Sequence, residues 1–202
     1  MVEFDALIVG GGVAGIQCAL VLGSSKEKSF AIHKNIGIIA HQKNSHLQNA
    51  LFNNVFGLEP GTEGKELLMS GKKQLSELYP HVLQIDNEKV ISIAEHDSGY
   101  QITTNKNMLY SNIVVVALNY SKPFSIQGLE KYIEPHIRAN PMKDRIQLRN
   151  FNHLIKEGLY ACGTIAGWRS QFSIAAGSGA SVATDILTLW NDNISTKIHD
   201  RL

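Results

Sequence analysis

The feature that most restricts this chain is a glycine turn set between two apolar segments. Residues 4–9, Phe-Asp-Ala-Leu-Ile-Val, run directly into Gly10-Gly11-Gly12. A short apolar run that ends in glycine reads as a strand buried on both faces, the condition of a parallel sheet. Residues 13–22, Val-Ala-Gly-Ile-Gln-Cys-Ala-Leu-Val-Leu, are rich in helix formers, and Gly23-Ser24-Ser25 stops them. Strand, turn and helix in this order open a βαβ unit.

Within the turn, Gly10, Gly12 and Gly15 carry the G-x-G-x-x-G spacing. The spacing has a mechanism: the first glycine permits a tight turn, the second lets the backbone approach a pyrophosphate, and the third lets helix pack on strand. Val13 and Ala14 then open the helix whose N–H groups face the phosphates. Glycines also serve plain structural turns, but the strand before and the helix after favour a dinucleotide site.

The same fingerprint expects an acidic residue about 20 positions further on, accepting hydrogen bonds from the ribose hydroxyls. None stands there. Counting from Gly15 reaches His33, whereas the end of the stronger candidate for the second strand, residues 35–40, reaches His41. The weaker candidate is residues 29–32. His41 or Gln42 offers neutral donors and acceptors in place of a carboxylate.

Downstream, residues 64–78 have Leu67, Leu68, Gly71, Leu75 and Leu78 at helical spacing with lysines opposite, which predicts an amphipathic helix. Residues 82–117 change to short β-rich runs broken by turn signals, predicting a β-meander and then a return to the parallel sheet through residues 113–117. Residues 119–143 are mixed and hold three of the five prolines; residues 158–162 read as one more short strand. Residues 172–189 form a small-residue helix suited to close packing. The expected fold is α/β and Rossmann-like, in three layers, with a parallel sheet and a β-meander, in one domain spanning 1–202.

Composition mainly excludes. A net charge near +1 with 18% charged residues gives no electrostatic footprint for nucleic acid. The apolar stretches fall short of the roughly 20 residues a membrane helix needs, and the first residues enter a strand without a basic segment or cleavage site; the expectation is a cytoplasmic protein without a membrane partner. Cys18 and Cys162 form no CxxC, and both sit at apolar positions, which predicts packing roles. His33, His41 and His46 lie close in sequence without metal-ligand spacing.

Four segments, in order, resemble the FAD domain of low-molecular-weight thioredoxin reductases, of the pyridine nucleotide-disulfide oxidoreductase-like family, and their dithiol-oxidase relatives. They are 5–23 (DALIVGGGVAGIQCALVLG), 53–75 (NNVFGLEPGTEGKELLMSGKKQL), 112–118 (NIVVVAL) ahead of QGLE at 127–130, and 158–187 (GLYACGTIAGWRSQFSIAAGSGASVATDIL). The resemblance implies FAD as cofactor and oxidoreductase chemistry. It places His41, rather than His33, where the family has its ribose carboxylate, and Asn54 at the flavin-side asparagine. It adds Val90 and Ala117 to the cofactor set, and Gly163 and Thr164 where the family has a Gly-Asp pair on the ribityl and pyrophosphate. Ser170, Gln171, Phe172 and Ala175 fall at the helix start aimed at the flavin pyrimidine. Residues 1–125 and 140–190 together would form the site, with Trp168-Arg169 on a loop bordering the flavin.

The departures are Thr164 for the aspartate, Leu118-Asn119 where the family has Thr-Gly, and the short interval from Glu130 to Gly158. In the family that interval holds an NADPH-binding domain with a second glycine turn and the redox CxxC. The resemblance therefore implies an FAD domain alone, working with an external electron donor or acceptor, and a homodimer. The alternative is a non-catalytic FAD-binding protein that senses or mediates an interaction; a plain NAD site is disfavoured by the FAD-like C-terminal segment.

Overall fold

A computed structural model of the chain describes residues 3–41 and 46–199. The first strand, β1 (Glu3–Val9), is buried continuously from Ala6 to Val9. It leads through Gly10–Gly12 into α1 (Val13–Gly23). The return strand is β2 (Ile36–Ala40), the stronger of the two apolar runs; residues 29–32 lie in turns. The Asp5 carboxylate explains the entry point, accepting from Lys34 Nζ at 3.0 Å and from the Asn35 N–H at 2.9 Å.

Two short strands, β3 (Leu51–Phe52) and β4 (Thr62–Glu63), pair with each other ahead of α2 (Gly64–Leu78). Gly64, Leu68 and Leu75 are the buried residues of α2. Leu78 was expected on that face but is exposed, because α2 ends there and the last turn leaves the core.

β5 (Val82–Asp86) joins the parallel sheet beside β2, where a place in the meander was expected. The meander itself consists of β6 (Val90–His96), β7 (Gly99–Thr104) and β8 (Met108–Val116). β8 is antiparallel to β7 and parallel to β1, so meander and return are one nine-residue strand. Beyond it come β9 (Ile133–Pro135) and β10 (Ile146–Leu148), an antiparallel pair. A hairpin of β11 (Leu154–Lys156) and β12 (Leu159–Ala161) brings the chain back to β8, and α3 (Phe172–Trp190) closes the fold.

The main sheet runs β11-β12-β8-β1-β2-β5, with β7 and β6 branching from β8. Alternation sends each strand's side chains into two cores. Ala6, Ile8, Ile113 and Val115 join the helices in one; Leu7, Val9, Val114 and Val116 join β6, β7 and the β9–β10 region in the other. The result is the expected three layers.

By length and composition α3 would suffice to cross a bilayer, which corrects the expectation that no apolar stretch reaches that size. Its buried face, including Gly179, Val182 and Ile186, packs in the helix-side core. A Cβ on Gly179 would collide with the Ala14 carbonyl, so the small residues of α3 permit close approach to α1.

Candidate functional site

In open parallel sheets the crevice lies beyond the carboxyl ends of the strands, where connections diverge. Here β1, β8 and β12 are in register at Val9, Val116 and Ala161, and β2 ends one residue later at Ala40. Gly10, His41, Ala117 and Gly163 follow those ends at the same edge of the sheet. They open a cavity of about 520 Å³, within the range of ligand pockets.

The glycine turn is built as its spacing requires. Gly10 has φ +125°, and a Cβ there or on Gly15 would strike backbone oxygen of Ala117 or Gly10. Gly12 differs: its added Cβ would meet nothing within 4 Å, because it faces the cavity. The turn is tight where chain meets chain and open where a ligand would approach.

Val13, Ala14, His41, Asn54, Val90, Ala117, Gly163, Thr164, Ser170, Gln171, Phe172 and Ala175 join Gly10 and Gly12 along this one cavity. Gly15 lies outside it, beneath the turn, and Gln42 falls outside the described residues. His33 stands away at an exposed turn. Trp168 and Arg169 do not line the cavity; Trp168 stacks on His153 at 5.6 Å and has the Arg138 guanidinium 5.0 Å from its centroid.

Both helix starts at the cavity lack a side-chain cap: Gly12 precedes α1 and Gln171 precedes α3, neither helix has an acidic residue in its first turn, and their N–H groups remain to meet negative charge. The Phe52 and Phe172 rings meet edge-on at 5.3 Å, which brings the Asn54 loop to the start of α3. Thr164 Oγ1 lies 3.5 Å from the Leu118 carbonyl, too long to commit it.

Several lining residues escaped the sequence reading. Glu88 is 6% exposed, and its carboxylate accepts from Thr104 Oγ1 and Asn107 Nδ2, both at 2.6 Å. It reaches the cavity because the Asn87 N–H bonds the Ala40 carbonyl, placing the β5–β6 turn beside His41; that is tertiary information. Leu118, Ser121 and Phe124 line the wall beyond Ala117. Cys162 lines the cavity too, yet burial pushes its thiol up to about 12. Cys18 is raised by burial and by Cys162; both thiols are packed, as expected, and burial favours their protonated form.

Among solved structures, a thioredoxin reductase from Gloeobacter violaceus is similar over 100% of both chains, with a TM-score of 0.74 and 14% identity. The chain has a thioredoxin-reductase-like fold. A ferredoxin-flavin thioredoxin reductase from Clostridium acetobutylicum matches 96% of this chain and 99% of its own, with a TM-score of 0.67 and 15% identity. A thioredoxin reductase from T. acidophilum matches over 96% and 100%, again at a TM-score of 0.67, with 14% identity. No protein-family model matches the chain, and no curated protein does. With identities this low, what is shared with these reductases is the fold.

Proposed function

We propose that this chain is an FAD-binding flavoprotein, an oxidoreductase of thioredoxin-reductase-like type that exchanges electrons with an external donor and acceptor. The observation that carries this reading is convergence. Segments far apart in sequence, at residues 10–14, 163–164 and 170–175, meet along one cavity whose glycine turn is open at Gly12. An extended dinucleotide with two ends needs such a two-part cradle.

In this reading Gly12 and the N–H groups at the start of α1 hold the pyrophosphate, His41 lies at the ribose, and the start of α3 faces the flavin. Bound FAD supplies the redox centre; the protein supplies binding, orientation and electrostatics. The N–H groups at Phe172 favour negative charge at the ring edge they face. Thr164 contributes a hydroxyl without charge.

One observation favours the second reading, a flavin-binding protein without catalysis. The described residues place no reactive thiol at the cavity, since Cys162 is held protonated. The two readings part on a direct measurement. Purified protein should be yellow with FAD released on denaturation, and NADH, NADPH, dithiols or a reduced ferredoxin should be tried for bleaching. Bleaching by any of them supports the oxidoreductase, failure of all supports the non-catalytic reading, and a colourless protein that takes up no FAD refutes both.

A further inference from the structure

Asn152 and His153 hold consecutive left-handed backbone conformations, with φ +46° and +74°. Such geometry is unfavourable for residues with a Cβ and persists only where the surroundings enforce it, most often near function. The enforcement is visible. Asn150 Oδ1 accepts the His153 N–H at 3.0 Å, and the His153 carbonyl accepts the Ala161 N–H at 2.8 Å. Asn150 is itself fixed, its amide donating to the Leu148 and Ala166 carbonyls.

This geometry delivers an imidazole into the interior. His153 is 6% exposed, and its Nε2 lies 2.8 Å from Ser178 Oγ on α3, which is 5% exposed. Ser178 Oγ in turn accepts the Gly163 N–H at 2.8 Å. The Ser178 oxygen accepts from Gly163 and keeps a second lone pair and its own proton, so it bonds Nε2 in either sense according to the His153 tautomer.

The relay ends at the cavity. Gly163 has φ +73° and no side chain to hold its own turn. The Thr164 carbonyl accepts from His136 Nε2 at 3.1 Å and from the Gly167 N–H at 3.0 Å. Both backbone groups are thus drawn away from the cavity, leaving the Thr164 hydroxyl as the corner's side-chain polar group.

On the reading that the cavity holds FAD, we propose that His153 is a positioning residue: through Ser178 it fixes the Gly163 amide, and with it the Gly163-Thr164 corner against which the cofactor binds. The groups around His153 are Trp168, with Arg138 over that ring, Ser178 from α3 and Asn150 from its own turn; among the described residues no carboxylate contacts it. Burial lowers its pKa and keeps the ring neutral at neutral pH.

The test uses the full chain with Ser178→Ala, which removes the relay, and His153→Gln, which keeps a neutral acceptor. In flavin-free protein, hydrogen exchange at the Gly163 amide should accelerate by roughly a hundredfold in Ser178→Ala. FAD affinity, read by flavin fluorescence, should fall about tenfold in that variant, as expected for one lost buried hydrogen bond. His153→Gln, which can bond Ser178 in either sense, should stay near wild type in both readouts, whereas His153→Ala should also speed Gly163 exchange; unchanged exchange in His153→Ala would take His153 out of the relay. Unchanged Gly163 exchange in Ser178→Ala overturns the relay. Faster exchange with unchanged FAD affinity overturns the positioning role. A wild-type chain that takes up no FAD sinks the cofactor reading, and the exchange measurement then decides the relay alone.

Discussion

Replacing Gly12 and Gly15 one at a time separates two demands made on the same turn. At Gly15 an added Cβ would stand 1.9 Å from the Gly10 carbonyl oxygen and 3.2 Å from the Ala117 Cβ, whereas real Cβ contacts stay beyond 3.0 Å. Gly15→Ala must therefore shift α1 from the turn by at least about 1 Å, and a close-packed interior transmits that strain. Overpacking costs roughly 1–3 kcal/mol, and the ~1 kcal/mol gain in helix propensity offsets only part of it. A net loss of about 1 kcal/mol would lower the melting temperature by roughly 2–4 °C in a chain of this size. At Gly12 nothing lies within 4 Å, and φ −83° with ψ −174° suits any residue. Gly12→Val should then change stability by no more than about 0.5 kcal/mol while filling the approach to the turn. Circular-dichroism melts of flavin-free protein, followed by FAD titration, read both effects. Gly15→Ala should melt early and retain part of its FAD uptake; Gly12→Val should melt like wild type and take up none. A Gly12→Val protein with a full complement of FAD, or a Gly15→Ala protein of wild-type stability, would refute the reasoning.

His81, His136 and His153 all have pKa values lowered chiefly by burial. The folded state then binds protons less readily than the unfolded chain, so stability is full above the ordinary value of 6.5 and declines as pH falls below it. Urea midpoints between about pH 7.5 and 5.5 should show this fall, and a midpoint that rises on acidification would contradict it. Glu88→Ala strands the Asn107 amide and leaves the Thr104 hydroxyl only the Asn107 carbonyl at 3.2 Å, and should cost about 2 kcal/mol, against about 1 kcal/mol for Glu88→Gln. Chemical denaturation separates the two variants, and equal losses would argue against a charge-assisted role. Cys18 and Cys162, buried and held protonated, should resist a thiol reagent in the native protein and react once unfolded. Rapid native labelling of either would show that the cavity opens to Cys162 or that the core does not hold.

Much of the architecture was legible because local chemistry and tertiary role coincide. β1, α1 and α2 each announce themselves by an apolar run or a helical period with a clear stop, and the structure keeps them within a residue or so. β5 and β8 were harder. A short apolar strand does not state its neighbours, and β8 pairs parallel on one side and antiparallel on the other without a change in its side-chain alternation. The β11 strand was missed because two left-handed residues, Asn152 and His153, turn the chain where no glycine or proline signals it.

The candidate site divides along the same line. Sequence alone determined the glycine turn, because a strand-to-helix turn this tight admits few residue types at Gly10 and Gly15. It also determined that Cys18 and Cys162 would pack, since apolar neighbours predict burial. The resemblance favours His41 over His33; only the tertiary structure decided that Trp168 turns away to stack on His153 and that Glu88 lines the same cavity as His41. Those outcomes depend on strand order and register, which put the ends of β1, β2, β8 and β12 at one edge. Spacing along a chain fixes what a turn can be, while the sheet fixes which turns meet.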